Sequence, residues 1–445
     1  MNEVMAEPQN QAAAASAWAG KLYTAGLFIF VFCCNFSISA SQIGLGLALI
    51  GCIGQYRAGQ MRLKSTPLDL PFAFLALTGI LSVFRAEDLS RAVPEIRSYL
   101  VIACFYLSFW YEMSEDQLKR LLVVYVTSAA LVGMVNGLRT PYLTLIGNRA
   151  RGFFSTSMTF AECQSMALLV ICVIFASVKR DLIRQSLLLF AAAVTSYSLI
   201  LSKVRSAWLG FFFGILVLFF HFPKRIAIAM LFVLAAVSPV AIADPDVYDR
   251  LISFLPSKTA EIAQAKIDDH FTSSSLQGTY HRLTIWLRGM QMLENHFAFG
   301  VGLSNTKPWF KHFASKFESE NNLIWGHQHN NFVQILASTG LIGLIAFINF
   351  IIVTLAFTWQ ASMSGQNSWR GMVSKGAMAV FLCFLASGIG EYSWGDEEVV
   401  MMALFLLGLL MNHHVASEEE TGNKNLQPKN AASDTGIPAT AVTRL

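Results

Sequence analysis

His327-Gln328-His329-Asn330 stands before an apolar run that continues through Gly340 and Gly343. This sets titratable imidazoles beside a helix entering a membrane. An imidazole with an unperturbed pKa of about 6.5 exchanges a proton near neutrality, which makes His329 a candidate general base. A His-x-His pair also invites a metal reading, but no nearby cysteine or well-spaced carboxylate completes a ligand set. The plainer alternative is that either imidazole hydrogen-bonds a helix terminus.

Positive charge recurs at turns where membrane insertion does not ask for it. Lys203 and Arg205 occupy a very short turn between two apolar runs, Ser202-Lys203-Val204-Arg205-Ser206-Ala207-Trp208. They either snorkel to lipid headgroups or form an anion site, in which a guanidinium holds phosphate oxygens through paired hydrogen bonds. Further on, apolar spacing from Leu283 to Leu293 predicts an amphipathic helix with Arg282 near its beginning, where free backbone N–H groups would add to an anion site. Arg288 lies six residues on and points away from Arg282. Gly300-Val301-Gly302 then permits a tight backbone path. Asp244-Pro245-Asp246 has the spacing of a metal-holding pair, but proline after a span is a common helix stop. Asp268-Asp269 and Asp396-Glu397-Glu398 read as solvated loop acids, while Glu162, inside an apolar run, must face the bundle interior or a cavity.

The elements that must position these residues follow from composition. Of 445 residues, 54% are hydrophobic and 13% charged, and the mean hydropathy is +0.51. Such a chain is an all-α, polytopic membrane protein. Windows of roughly 17 to 25 apolar residues can each cross the hydrocarbon core, and about twelve are present. They lie near residues 22–38, 41–56, 70–84, 98–111, 120–137, 159–177, 184–201, 206–221, 225–243, 335–358, 373–390 and 398–412. Basic residues fall in alternate loops, with Arg57, Arg62 and Lys64, then Lys119 and Arg120, Lys179, Arg180 and Arg184, Lys224 and Arg225, and finally Arg370 and Lys375. By the positive-inside rule these loops and both termini are cytoplasmic.

The expected organisation is a cytoplasmic N-terminal segment (1–21), nine spans (22–243), one large, mostly helical outer loop (244–334), three spans (335–412) and a disordered cytoplasmic tail (413–445). Nothing before the first span reads as a removable signal peptide. All seven cysteines fall within the apolar runs, so no disulfide framework is expected. The net charge of +4 is largely that of the cytoplasmic loops and does not argue for nucleic acid.

Arg205 in a short outer turn, Arg282 with Trp286 four residues later, Gly300-Val301-Gly302, and His329-Asn330 followed by Gly340 and Gly343 together resemble the O-antigen ligase and polymerase superfamily. Arg149-Ala150-Arg151-Gly152 resembles that superfamily's outer-loop Arg-Gly element, so the likeness runs from about residue 148 to 411. Val204 stands where family members often carry Ser, and Phe297 where Pro often precedes the Gly-x-Gly. The resemblance implies a GT-C-like glycosyltransferase in the bacterial inner membrane, multi-pass, with its active site facing the periplasm. Its donor would be an undecaprenyl-pyrophosphate-linked glycan. In the ligase branch the acceptor is lipid A-core, and the product completes lipopolysaccharide.

On that expectation Arg205, Arg282 and Arg151 bind the pyrophosphate and His329 is the base of an inverting, metal-independent transfer. His327, Asn330, Trp286, Arg288 and Lys203 support them, with no cofactor. A polymerase or a protein O-oligosaccharyltransferase of the same superfamily would share these residues; one dominant outer loop favours the ligase. From a different class, a transporter of an anionic lipid-linked substrate is the alternative. It would be marked by ionisable sites near the midplane, for which Glu162 is the main candidate.

Overall fold

Apolar runs broken by polar turns fold as helices because, in hydrocarbon, each backbone N–H and C=O must find its partner within the protein. The computed structural model describes residues 2–145, 149–179, 181–244, 247, 250, 274–314, 316–320, 324–363 and 368–412. In chain order the helices are α1 (Asn2–Cys33), α2 (Ile38–Arg57), α3 (Asp69–Ser82), α4 (Leu89–Glu95), α5 (Ile102–Phe109), α6 (Glu115–Leu145), α7 (Ser157–Ser177) and α8 (Leu182–Leu201). There follow α9 (Arg205–His221), α10 (Pro223–Ala243), α11 (Ser274–Gln291), α12 (Thr306–Phe313), α13 (Lys316–Glu320), α14 (Asn331–Met363), α15 (Trp369–Ser387) and α16 (Glu397–Met411). No strand occurs among the described residues.

Among the described residues eight stretches are long and apolar enough to cross a membrane, in α1, α2, the run Leu89–Phe109, α6, α7, α8, α14 and α15. The chain is therefore a helical, multi-pass membrane protein. The other four of the expected twelve windows are also helical, as α3, α9, α10 and α16. Of these, α3, α9 and α16 have 14, 17 and 15 residues, at or below the lower limit for a span. The expected N-terminal segment is continuous with the first span, since α1 begins at Asn2. The expected outer loop is helical at α11, α12 and α13. Its residues 251–273 and the tail from 413 lie outside the described residues, as do Asp246 and the pair Asp268-Asp269.

Helix α7 is the centre of the bundle, buried along nearly its whole length. It packs against α8, α9 and α15, while α14 lies along α3 and α16 along α5. Glu162 on α7 faces this interior and is buried, as its cost in lipid requires. All seven cysteines are free. Peripheral helices turn large apolar side chains outward, including Phe212, Phe213, Leu216, Phe219 and Phe220 of α9. That is the surface a hydrocarbon solvent selects.

The basic loops meet around the first turns of α15. Arg370 donates to the Met113 carbonyl, Lys119 lies over the Trp369 ring, and Lys375 lies over Phe222. Lys64 pairs with Glu112 at 3.0 Å, and Arg225 donates to the carbonyls of Ala176 and Val178. The last turn of α15 instead leads into residues 388–396 beside His329. At about 1.5 Å per residue, its 19 residues separate the two ends by roughly 28 Å.

Candidate active site

Asn330 makes the start of α14 a fixed point. Its Oδ1 accepts from the N–H groups of Phe332 and Val333 at 2.8 and 3.0 Å, an N-terminal cap. Its Nδ2 donates to the Ile389 carbonyl at 2.8 Å. The Asn331 N–H donates to the Gly388 carbonyl at 2.7 Å, and Asn331 Oδ1 accepts from the Trp394 N–H at 2.9 Å. Residues 388–395 are thereby tied to the residues just before α14.

The glycine pattern fixes the same helix from its other side. Gly340 interrupts α14 at φ 70° and ψ −168°, a backbone region essentially confined to glycine. A Cβ there would strike the backbone of Ala298 and Gly300. Across this break Val301 and Gly302 donate their N–H groups to the carbonyls of Ala337 and Ser338, both at 2.9 Å. Leu341 donates back to Phe297 at 2.8 Å. The Gly-x-Gly and the Gly340 break are two halves of one backbone junction, which anchors the long loop on α14.

His329 occupies the left-handed region at φ 47°, which costs a non-glycine residue about 1–3 kcal/mol. Its Nδ1 lies 2.8 Å from Glu391 Oε2. A carboxylate only accepts, so Nδ1 carries the proton and Nε2 keeps its lone pair. The other oxygen of Glu391, Oε1, accepts from Arg282 Nη2 at 2.5 Å. Glu391 is 5% exposed, so this one buried carboxylate couples the imidazole to the guanidinium. The sequence reading did not single it out.

Arg282, Trp286 and Arg205 line one cavity of about 250 Å³, with Ser206, Ile389 and Gly390 in its wall. Arg205 is the first residue of α9, whose N-cap, Val204, offers no side-chain hydrogen bond. The cations bearing electrostatically on Arg205 are Arg282 and Arg149. Arg149 is held near the turn because the Ala150 N–H donates to the Leu201 carbonyl at 3.0 Å. Arg151 lines a different cavity, with Phe36, Phe154 and Glu398.

Arg282 is not near a helix start as the amphipathic pattern predicted. Helix α11 begins eight residues earlier, at Ser274, through a polar stretch without apolar periodicity. The helix start at the cavity is that of α9. Arg288 points elsewhere, donating to Gln291 Oε1 at 2.9 Å. Lys203, at φ 56°, is buried and ion-paired with Asp244 at 2.9 Å.

His327 packs against His329 with ring centroids 4.2 Å apart. Burial pushes its imidazole down to about 4; the nearby His329 adds to this and Glu391 opposes it. Among the described residues no group of three His, Cys, Asp or Glu side chains is placed to hold a metal ion.

No curated protein matches the chain. Residues 190–348, from within α8 to the middle of α14, match the family model described as O-antigen ligase. This stretch, which is similar to that family, holds Arg205, Arg282 and His329.

Proposed function

We propose that the chain transfers a glycan from undecaprenyl pyrophosphate to a hydroxyl of lipid A-core, as an O-antigen ligase of the bacterial inner membrane with its site facing the periplasm. The observation that carries this reading is the cavity shared by Arg205, Arg282 and Trp286, joined through Glu391 to His329. The clustering of basic loops at the opposite end supports the orientation.

The acceptor oxygen attacks the anomeric carbon as its proton passes to His329 Nε2. The bond from that carbon to the pyrophosphate oxygen breaks, and the pyrophosphate leaves with the electron pair. Direct displacement inverts the centre. Arg205 and the remaining donors of Arg282 meet the charge that grows on the leaving group, and Arg149 adds to the local field. Glu391 holds the tautomer of His329 and stabilises the imidazolium that forms. Arg151, Arg288 and Lys203 lie outside the cavity and have no contact role in this scheme, while Asn330 acts through the backbone it caps.

Leu283, Leu287 and Met290 are exposed on α11 at i, i+4 and i+7. Such a stripe suits a helix lying at a membrane surface beside the donor's prenyl chain.

The test is covalent transfer by the purified chain from an undecaprenyl-pyrophosphate-linked glycan, with lipid A-core, unmodified donor and a protein acceptor offered in parallel and products resolved by mass. Glycan on lipid A-core supports the ligase. Lengthened donor or glycosylated protein moves the assignment within the superfamily, and no new bond on any acceptor contradicts transfer.

A further inference from the structure

The segment Ile389–Gly395 separates two cavities. Ile389 and Gly390 face the arginine cavity, whereas Tyr392, Trp394 and Gly395 face another of about 210 Å³. Glu391 sits between them. The second cavity is lined by His327, Thr78, Ser98, Tyr99 and Glu95, so it offers hydroxyls, a carboxyl and aromatic faces. Among the described residues that line it there is no arginine or lysine, so it does not suit a pyrophosphate.

His327 gives this cavity a donor of known identity. Its Nδ1 accepts from the His329 backbone N–H at 3.3 Å, which places the proton of the neutral ring on Nε2. An imidazole fixed in that tautomer donates to a hydroxyl or ether oxygen. The ring also touches His329, so a sugar held here has a hydroxyl next to the base.

We propose that this cavity is the acceptor subsite, binding a sugar ring of the acceptor oligosaccharide with His327 Nε2–H on one of its oxygens and Tyr99 and Trp394 against its C–H surface. Donor and acceptor then approach His329 and Glu391 from opposite sides of one wall. The proposal rests on the transferase reading above, but its binding test does not require turnover.

The test is equilibrium binding of fluorescently labelled, delipidated core oligosaccharide to the detergent-purified full chain without donor. Wild type binds it. Ser98→Leu, which fills the cavity, and His327→Phe, which removes the donor, each weaken binding by about tenfold or more, whereas Arg205→Ala stays within about twofold. If Ser98→Leu and His327→Phe both bind as wild type does, or if wild type does not bind, the subsite is wrong. Equal loss in Arg205→Ala would place the sugar in the arginine cavity and also overturn it. A wild type that binds the oligosaccharide through this cavity yet forms no new bond on it, on the donor or on a protein acceptor supports the carbohydrate site and removes the transferase reading instead.

Discussion

Glu391 accepts a hydrogen bond from His329 Nδ1 at 2.8 Å, and the two side chains are 7% and 13% exposed. The contact spans 62 positions in the chain. It converts an imidazole near a membrane surface into one with a defined tautomer and an adjacent negative charge, two things a general base needs.

Glu391→Gln keeps the size of the side chain but removes the charge and allows the amide to donate to Nδ1, favouring the wrong tautomer. We expect kcat to fall by about 10²- to 10⁴-fold. Glu391→Asp should recover part of that loss. Steady-state transfer kinetics of both variants check this, and a Gln variant with wild-type kcat would remove the positioning role.

In the proposed transfer Arg205 acts on the leaving group by charge and by its planar set of donors. Arg205→Ala should lower kcat/KM for the lipid-linked donor by about 10²- to 10³-fold, and Arg205→Lys should restore only part of it. Because the proposed mechanism has guanidinium groups neutralise the pyrophosphate, it predicts that transfer continues in excess EDTA. Initial rates with and without chelator measure this directly.

Gly340→Ala forces a Cβ into the Ala298 backbone and an L residue into a glycine region. The expected loss is about 1–3 kcal/mol from the dihedral alone, with more from the clash. A thermal melt in detergent should show it, against Gly46→Ala, where nothing lies within 4 Å of the added carbon.

His327 titrates far below the ordinary 6.5, at about 4, because it is buried. Its folded pKa lies below the unfolded value, so between those two values the unfolded chain binds the extra proton and stability drops as the pH falls. The loss starts near pH 6.5 and levels off below about 4, reaching on the order of 3 kcal/mol. His327→Gln should flatten that part of a melting-temperature profile taken from pH 7.5 to 4.

Arg205, Arg282 and His329 were singled out in the sequence by charge and imidazole beside apolar runs and by the family resemblance, and the structure places Arg205 and Arg282 on one cavity with His329 joined to Arg282 through Glu391. Glu391 was not singled out. It lies in Gly390-Glu391-Tyr392, a short turn after a span, where an acid reads as solvated; only the pairing of Asn330 and Asn331 with residues 388–394 buries it. An acid flanked by glycine and tyrosine, five residues before the acidic run that starts at Asp396, was the available signal. The start of α11 was hidden because Ser274 to Tyr280 has no apolar period, and Gly278 argues against a helix there. Arg149 and Arg151 are two residues apart, and nothing in their spacing says which lies near Arg205. The helical bundle was legible throughout, but helix lengths were not, since hydropathy marks an apolar run without fixing where its last turn ends.

The most direct test of the central claim compares wild type with His329→Ala in a reconstituted transfer assay, with donor binding measured on the same preparations. The account predicts a loss of about 10²- to 10⁴-fold in kcat with donor affinity nearly unchanged. A His329→Ala protein that transfers glycan at the wild-type rate would contradict it.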